Sequence, residues 1–114
     1  MGNAIQHKSF LFAIRIVKLC RFLREARHEF NMSKQLLRCG TSIGANVAES
    51  QHAQSRADFV SKLNIALKEA AETDYWLKLL YETDYLTPSQ FESIISDCRE
   101  IESLLVAIVK TVKQ

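Results

Sequence analysis

The stretch RCGTSIGANVAES, Arg38 to Ser50, decides how this chain folds. It holds two of the three glycines, Gly40 and Gly44, in a run of small residues set among helix formers. Such a run is either a loop that cradles a ligand or a helix whose small face admits a close neighbour. A phosphate loop wants a preceding strand and a Gly-Lys-Ser/Thr ending, and the chain has neither. On a 100° wheel Gly40 and Gly44 share an arc with Leu36, Ile43 and Val47, while Arg38, Ser42, Ala45 and Glu49 take the opposite arc. Two interior glycines cost a helix about 1 kcal/mol each against alanine, a loss that close packing can offset. The stretch therefore reads as helix, with its glycines turned inward.

Outward from this point, punctuation divides the rest of the chain. Thr87 caps a helix that Pro88 opens, and Gln90 can reach back to the cap. Ser55 caps another, with Asp58 three residues on in a weaker form of the same box. Asn31 ends one helix and Ser33 starts the next. The expected helices cover 7–30, 33–52, 56–84 and 88–112 of a single 114-residue domain. Short connections make consecutive helices antiparallel, so the fold class is an all-α, up-down-up-down four-helix bundle. Each helix carries an apolar stripe at helical spacing. The first uses Phe12, Ile16, Leu19, Leu23, Ala26 and Phe30; the third Phe59, Leu63, Ala66, Leu67, Ala70, Leu77 and Tyr81; the fourth Phe91, Ile94, Ile95, Cys98, Ile101, Leu105, Ile108 and Val112.

Composition excludes several classes. Apolar runs are broken by Arg15 and Lys18 well short of the ~20 residues that span a bilayer, so no membrane partner is expected. MGNAIQHK opens no secretory signal, and the expected compartment is the cytoplasm. Cys20, Cys39 and Cys98 are few, distant and unpaired in spacing. They read as small buried hydrophobes, with no disulfide framework, metal site or cofactor.

Charge is uneven. Residues 1–40 carry eight Lys/Arg against two Glu, a net of +6, and residues 41–114 carry seven basic against eleven acidic side chains, a net of −4. Lys18, Arg21, Arg24 and Arg27 recur every three residues, and Lys34 and Arg38 follow across the turn. Spacing of three wraps around a helix instead of forming one line, yet Lys18, Arg21 and Arg24 still cover a connected arc. Phosphate binding asks for such cations without strict geometry. No aromatic interleaving is visible, so binding should depend weakly on sequence. The competing use is a solvated face paired to Glu25, Glu29 or the acidic third helix, or a surface for an acidic protein partner.

A second apolar surface points to self-association. Helix one has Phe10, Ile14 and Val17 off its core stripe, and helix three has Ile65, Trp76, Leu79 and Leu80 interleaved with Glu69 and Glu72. Such a face more often meets a partner than water. Asp74 and Asn46 fall where core is expected, and read as polar residues that fix register, with Arg15 or Arg38 as partners.

Two catalytic readings can be drawn. EARH (Glu25–His28) and ESQH (Glu49–His52) have the Glu-x-x-His spacing of di-iron carboxylate bundles. In an antiparallel hairpin, however, they sit at opposite poles, roughly 25 Å apart. Arg21 and His28, seven apart, are similar to the Arg-x4–6-His motif of HEPN-type ribonucleases. Those usually set a polar residue after the arginine, where this chain has Phe22.

TSIGANVAES followed by DFVSKLNIALKEAAETDYWLKLLYETDYL resembles the 23S rRNA intervening-sequence proteins. The specific parts are Ser42-Ile43, Asn46-Val47-Ala48-Glu49 and the run Glu69, Glu72, Tyr75-Trp76-Leu77, and the resemblance extends over nearly the whole chain. It implies a four-helix bundle that assembles as a ring-like pentamer, with no catalytic residues. The family is also similar to the accessory proteins of diversity-generating retroelements, basic pentameric barrels that engage nucleic acid and a reverse transcriptase. Gly44-Ala45 stands where many members carry Pro-Ser, which implies a less sharply bent second helix. The combined expectation is a non-catalytic, self-associating bundle that binds RNA or DNA through its first helix. A protein–protein scaffold is the alternative, and a small ribonuclease or metal-carboxylate bundle ranks third.

Overall fold

The computed structural model describes residues 2–113 as four helices: α1 (Gly2–Glu25), α2 (Asn31–Ser50), α3 (Arg56–Glu82) and α4 (Pro88–Lys113). They form an elongated all-α four-helix bundle of 44 × 21 × 19 Å, the length that a 27-residue helix at 1.5 Å per residue demands. Cross-helix pairs fix the antiparallel sense. Along α1 and α2, the Cys20 thiol donates to the Ser33 carbonyl, while Gly40 faces Ile16 and Gly44 faces Ser9. Along α2 and α3, Thr73 Oγ1 donates to Cys39 Sγ at 3.2 Å and Lys62 pairs with Glu49 at 3.1 Å.

Residues 38–50 are continuous helix within α2, and Gly40 is buried. A Cβ on Gly40 would come within 2.8 Å of both Cγ1 and Cγ2 of Ile16, and one on Gly44 within 3.2 Å of the Ser9 carbonyl oxygen. The small face thus lets α1 approach α2 to backbone range, and that close approach compensates the low helix propensity of glycine. Ile5, Phe12, Ile16, Cys20 and Leu23 of α1 close the core with Leu36, Ile43 and Val47 of α2. From α3 come Leu63, Ala66, Ala70, Leu77 and Leu80, and from α4 Ile94, Ile95, Cys98, Ile101, Leu105 and Val109.

The caps written in the sequence are made. Gln90 N–H donates to Thr87 Oγ1 at 3.1 Å while Thr87 N–H donates to Gln90 Oε1 at 2.9 Å. Asp58 N–H donates to Ser55 Oγ, and the Asp58 carboxylate receives Gln54 N–H instead of that of Ser55. α3 ends with Asp84 in the left-handed region (φ 69°), Tyr85 N–H donating to Leu80 O and Asp84 N–H to Tyr81 O. This is the pairing of a Schellman cap.

The end of α1 differs from the expected 30. The helix stops at Glu25, and His28 turns left-handed (φ 54°), letting Glu29 N–H reach Leu23 O at 2.9 Å. Asn31 is the first residue of α2, not a stop. The cause is Glu29: its buried carboxylate accepts the N–H groups of Asn31, Met32 and Ser33, and its carbonyl accepts the Ser33 hydroxyl. Four unpaired donors begin every helix, and one carboxylate takes three of them here. Ala26 and Phe30 consequently leave the core stripe and lie exposed.

Candidate nucleic-acid interface

The six cations singled out in the sequence divide into three groups. Lys18, Arg21 and Arg24 project from the last two turns of α1, are exposed, and pair with no carboxylate among the described residues. Lys34 is likewise exposed and unpaired, one helical turn before Leu37 on the same side of α2. Leu37 lines a shallow groove with Val17, Cys20, Arg21, Arg24 and Glu25. These four cations gather where α1 ends and α2 begins, with Glu25 the one carboxylate lining that groove.

Arg27 and Arg38 are drawn elsewhere. Arg27 lies past the helix end; its guanidinium donates to the carbonyls of Tyr85 and Asp84 and lies 4.7 Å over the Tyr85 ring. It ties the α1–α2 turn to the α3–α4 turn. Arg38 bridges to Glu69 at 3.4 Å and to Glu72, whose carboxylate also accepts the Trp76 indole N–H at 3.0 Å. The acidic third helix neutralises this arginine.

The expected apolar face also splits. Phe10, Ile14, Val17 and Ile65 are exposed, Phe10 by 66%. Phe10 edges a groove with Ala13, Thr41, Gly44, Ala45 and Ala48. Phe10, Ile14 and Val17 stand at i, i+4 and i+7, and the same line continues into Arg21 and Arg24. Trp76 and Leu79 are half-buried, and Leu80 is wholly buried. Leu80 therefore leaves the exposed face: it is the next step of the core stripe Ala70, Thr73, Leu77, three residues on from Leu77.

Asp74 is mostly buried, but its partners are not Arg15 or Arg38. Arg99 Nε donates to it at 3.1 Å and Lys78 lies at 3.4 Å. Arg15 instead binds Asp97 at 2.7 Å together with Ser93 on α4. Asn46 donates its amide to Ser42 O within its own helix. Asp74, Cys98 and Glu102 bring their donor atoms within 4.8 Å of one another, a juxtaposition the sequence did not suggest because it joins α3 to α4. Burial and the Asp74 charge push the Glu102 carboxyl up to about 7, and burial followed by Glu102 pushes the Cys98 thiol far above its ordinary range. Burial also lifts Asp74, but Arg99, with the hydrogen bonds of Glu102 and Lys78, outweighs it and holds that carboxyl low. A metal ion would have to displace the Cys98 and Glu102 protons in order to bind here. The arrangement sets a raised Glu102 carboxyl beside a lowered Asp74 carboxyl. Burial likewise raises Cys39 and pushes Cys20 up to about 12, leaving both thiols un-ionised.

The catalytic spacings dissolve in the same geometry. Glu25 closes α1 and Glu49 lies at the far end of α2, held by Lys62. Arg21 and His28 would share a face only on a helix reaching residue 28, and α1 stops three residues earlier.

Two aromatic residues are exposed that the sequence reading did not place at the surface: Phe30 is expected in the core stripe, and Phe22 is assigned to no surface. Phe22 is 42% exposed beside Lys18, and Phe30 is 51% exposed with the Arg24 guanidinium 5.5 Å from its ring centre. Phe22 stands off the core stripe, a signal that was present; Phe30 looks like core until the helix end is known.

Together these features define an antiparallel four-helix bundle with a cationic end and an uncovered apolar flank. Residues 2–107 match the 23S rRNA-intervening sequence protein family, and the chain belongs to it. It is also similar to the crystal structure of a protein of unknown function from the S23 ribosomal protein family of Bacteroides thetaiotaomicron. That chain is 59% identical with a TM-score of 0.94, the match covering 96% of this chain and 97% of that one. No curated protein matches.

Proposed function

We propose that this protein acts without catalysis, as a self-associating bundle that binds RNA or DNA through Lys18, Arg21, Arg24 and Lys34. The observation that carries the reading is the contrast in charge pairing. Lys8, Arg15, Arg38, Lys62, Lys78 and Arg99 each meet a carboxylate, whereas these four cations cluster at one end and meet none among the described residues. Among the described residues Arg27, Arg56, Lys68 and Lys110 also lack an ion pair, but Arg27 is held by the carbonyls of Asp84 and Tyr85 and the other three do not gather at this end. A cluster left unpaired in a chain with thirteen carboxylates is suited to an anionic partner.

Self-association is supported by the Phe10, Ile14 and Val17 line, which an isolated bundle would leave in water. Family resemblance supports a ring of five copies, which would repeat the cationic end as a belt. The test is RNA retardation across a salt series, with solution mass measured alongside. Binding should weaken steeply with salt, and the double variant Arg21→Glu, Arg24→Glu should abolish it while the mass stays that of an oligomer. Unchanged retardation in that variant removes these residues from the site. An oligomer that binds no nucleic acid at low salt favours the scaffold reading, and a mass of one chain defeats self-association.

A further inference from the structure

We infer that the cationic end of α1 takes single-stranded nucleic acid in preference to duplex, stacking an unpaired base on Phe30, with Phe22 as a second platform. The inference rests on the nucleic-acid reading above and narrows it to one substrate class. On the α1 wheel the order around the exposed arc is Phe22, Lys18, Glu25, Arg21, Arg24. Phe30 continues the arc past Arg24, because the left-handed turn at His28 folds the chain back and sets the ring under the Arg24 guanidinium. Three cations and the single carboxylate of Glu25 therefore occupy the middle of the arc, with an aromatic ring at each flank. Both rings are about half exposed, so neither is held there by the core.

Phe30 is also well placed before any ligand arrives. It follows Glu29, whose carboxylate fixes the first turn of α2 through three backbone N–H groups, and it precedes the helix directly. Its ring lies 6.4 Å from that of His28, tilted by 44°. A platform fixed in advance loses little freedom when a base settles on it. Lys18, Arg21 and Arg24 alone would serve duplex and single strand alike, because both present phosphates. Exposed aromatic faces add affinity only where a base is free of its own stack, and stacking on one such face is worth about 1–3 kcal/mol per base. The guanidinium above Phe30 extends the same surface, since arginine also stacks on bases. Charge decides the occupant: a purely apolar partner would leave four clustered cations unanswered, whereas a phosphate strand with splayed bases satisfies rings and cations together.

The test compares three probes of equal length by fluorescence anisotropy: a single strand, the corresponding duplex, and an abasic single strand. They are titrated into wild type, Phe30→Leu and Phe30→Trp, with solution mass measured for each protein. Wild type should bind the single strand roughly tenfold or more tighter than the abasic strand, the factor one stacked base supplies. Phe30→Leu keeps the apolar bulk but should lose most of that factor, Phe30→Trp should keep it, and duplex binding should be the same in all three. Equal affinity for single strand and abasic strand, or a Phe30→Leu that binds the single strand normally, overturns the inference and leaves the cationic reading standing. A Phe30→Leu protein of lower mass also overturns it, by assigning the ring to contact between copies. Failure of every probe to bind wild type sinks the broader reading, and this one with it.

Discussion

Replacing Gly40 by alanine should destabilise this protein, although alanine is the better helix former. Gly40 has an ordinary helical backbone, so alanine meets no conformational objection and the experiment isolates packing. The added Cβ would lie 2.8 Å from Cγ1 and Cγ2 of Ile16 and 3.1 Å from Cδ1. Carbon atoms rest at about 3.5–4.0 Å, so roughly 1 Å must be found. Ile16 cannot supply it by rotation: both close atoms branch from its Cβ, the side chain is wholly buried, and β-branched residues in helices hold one rotamer. α1 and α2 must part instead. Overpacking of this kind costs about 1–3 kcal/mol, against about 1 kcal/mol gained in helix propensity. The net expectation is a loss of up to about 2 kcal/mol.

Gly44→Ala is the internal control. Its Cβ would meet the Ser9 carbonyl oxygen at 3.2 Å, short by only a few tenths, and the same propensity gain applies. It should stay within about 0.5 kcal/mol of wild type. The two variants are read by urea unfolding followed by helical circular dichroism, at one fixed protein concentration because self-association would shift the midpoint. Ile16→Ala alone should cost about 2–5 kcal/mol. Combined with Gly40→Ala it should cost about 1–2 kcal/mol less than the sum, because the new methyl enters the space the isoleucine vacated. A Gly40→Ala midpoint above wild type, or single effects that simply add, refutes the account of why glycine stands at this position.

Two further expectations concern groups the sequence left obscure. Glu29→Ala should cost about 2–3 kcal/mol, since three N–H groups at the start of α2 lose their acceptor; faster hydrogen exchange confined to the Asn31, Met32 and Ser33 amides checks it. Glu102→Gln should be more stable than wild type at pH 8, by about 1 kcal/mol once solvent screening is allowed for, and equal to it near pH 4.5. The sign follows from a carboxyl raised in the folded state to about 7 from 4.5: its contribution is complete below the lower value and lost as pH rises through the upper one. Glutamine imitates the protonated form facing Asp74, so thermal unfolding of the variant should lack that slope between pH 4.5 and 7.

What could be read from the sequence follows the range over which each interaction acts. The Thr87–Gln90 and Ser55–Asp58 caps join residues three apart, so their chemistry is written in adjacent letters and the starts of α3 and α4 fall where those letters put them. The inward turn of Gly40 and Gly44 followed from periodicity within one helix. The end of α1 did not, because no glycine or proline marks it. A histidine takes the left-handed position, and the decisive group, Glu29, carries a side chain that usually signals solvent. Leu80 misled for another reason. Leu79 and Leu80 are neighbours on α3, and a wheel alone does not say which of two adjacent leucines the other helices cover.

Partner choice between helices was beyond sequence altogether. Asp74 sits on the inward side of α3, as its position on the wheel implied, but that it meets Arg99 and not Arg15 or Arg38 depends on the register of α3 against α4. The same register brings Glu102 beside Asp74, sends Arg15 to Asp97, and gives Arg38 to Glu69 and Glu72. Each of these choices removes a cation or a carboxylate from the surface inventory. The unpaired cations at the end of α1 are therefore a remainder, defined only after every other pairing is known. That is why six basic residues in the sequence reduce to four in the folded chain, and why the aromatic rings beside them become visible at the same moment.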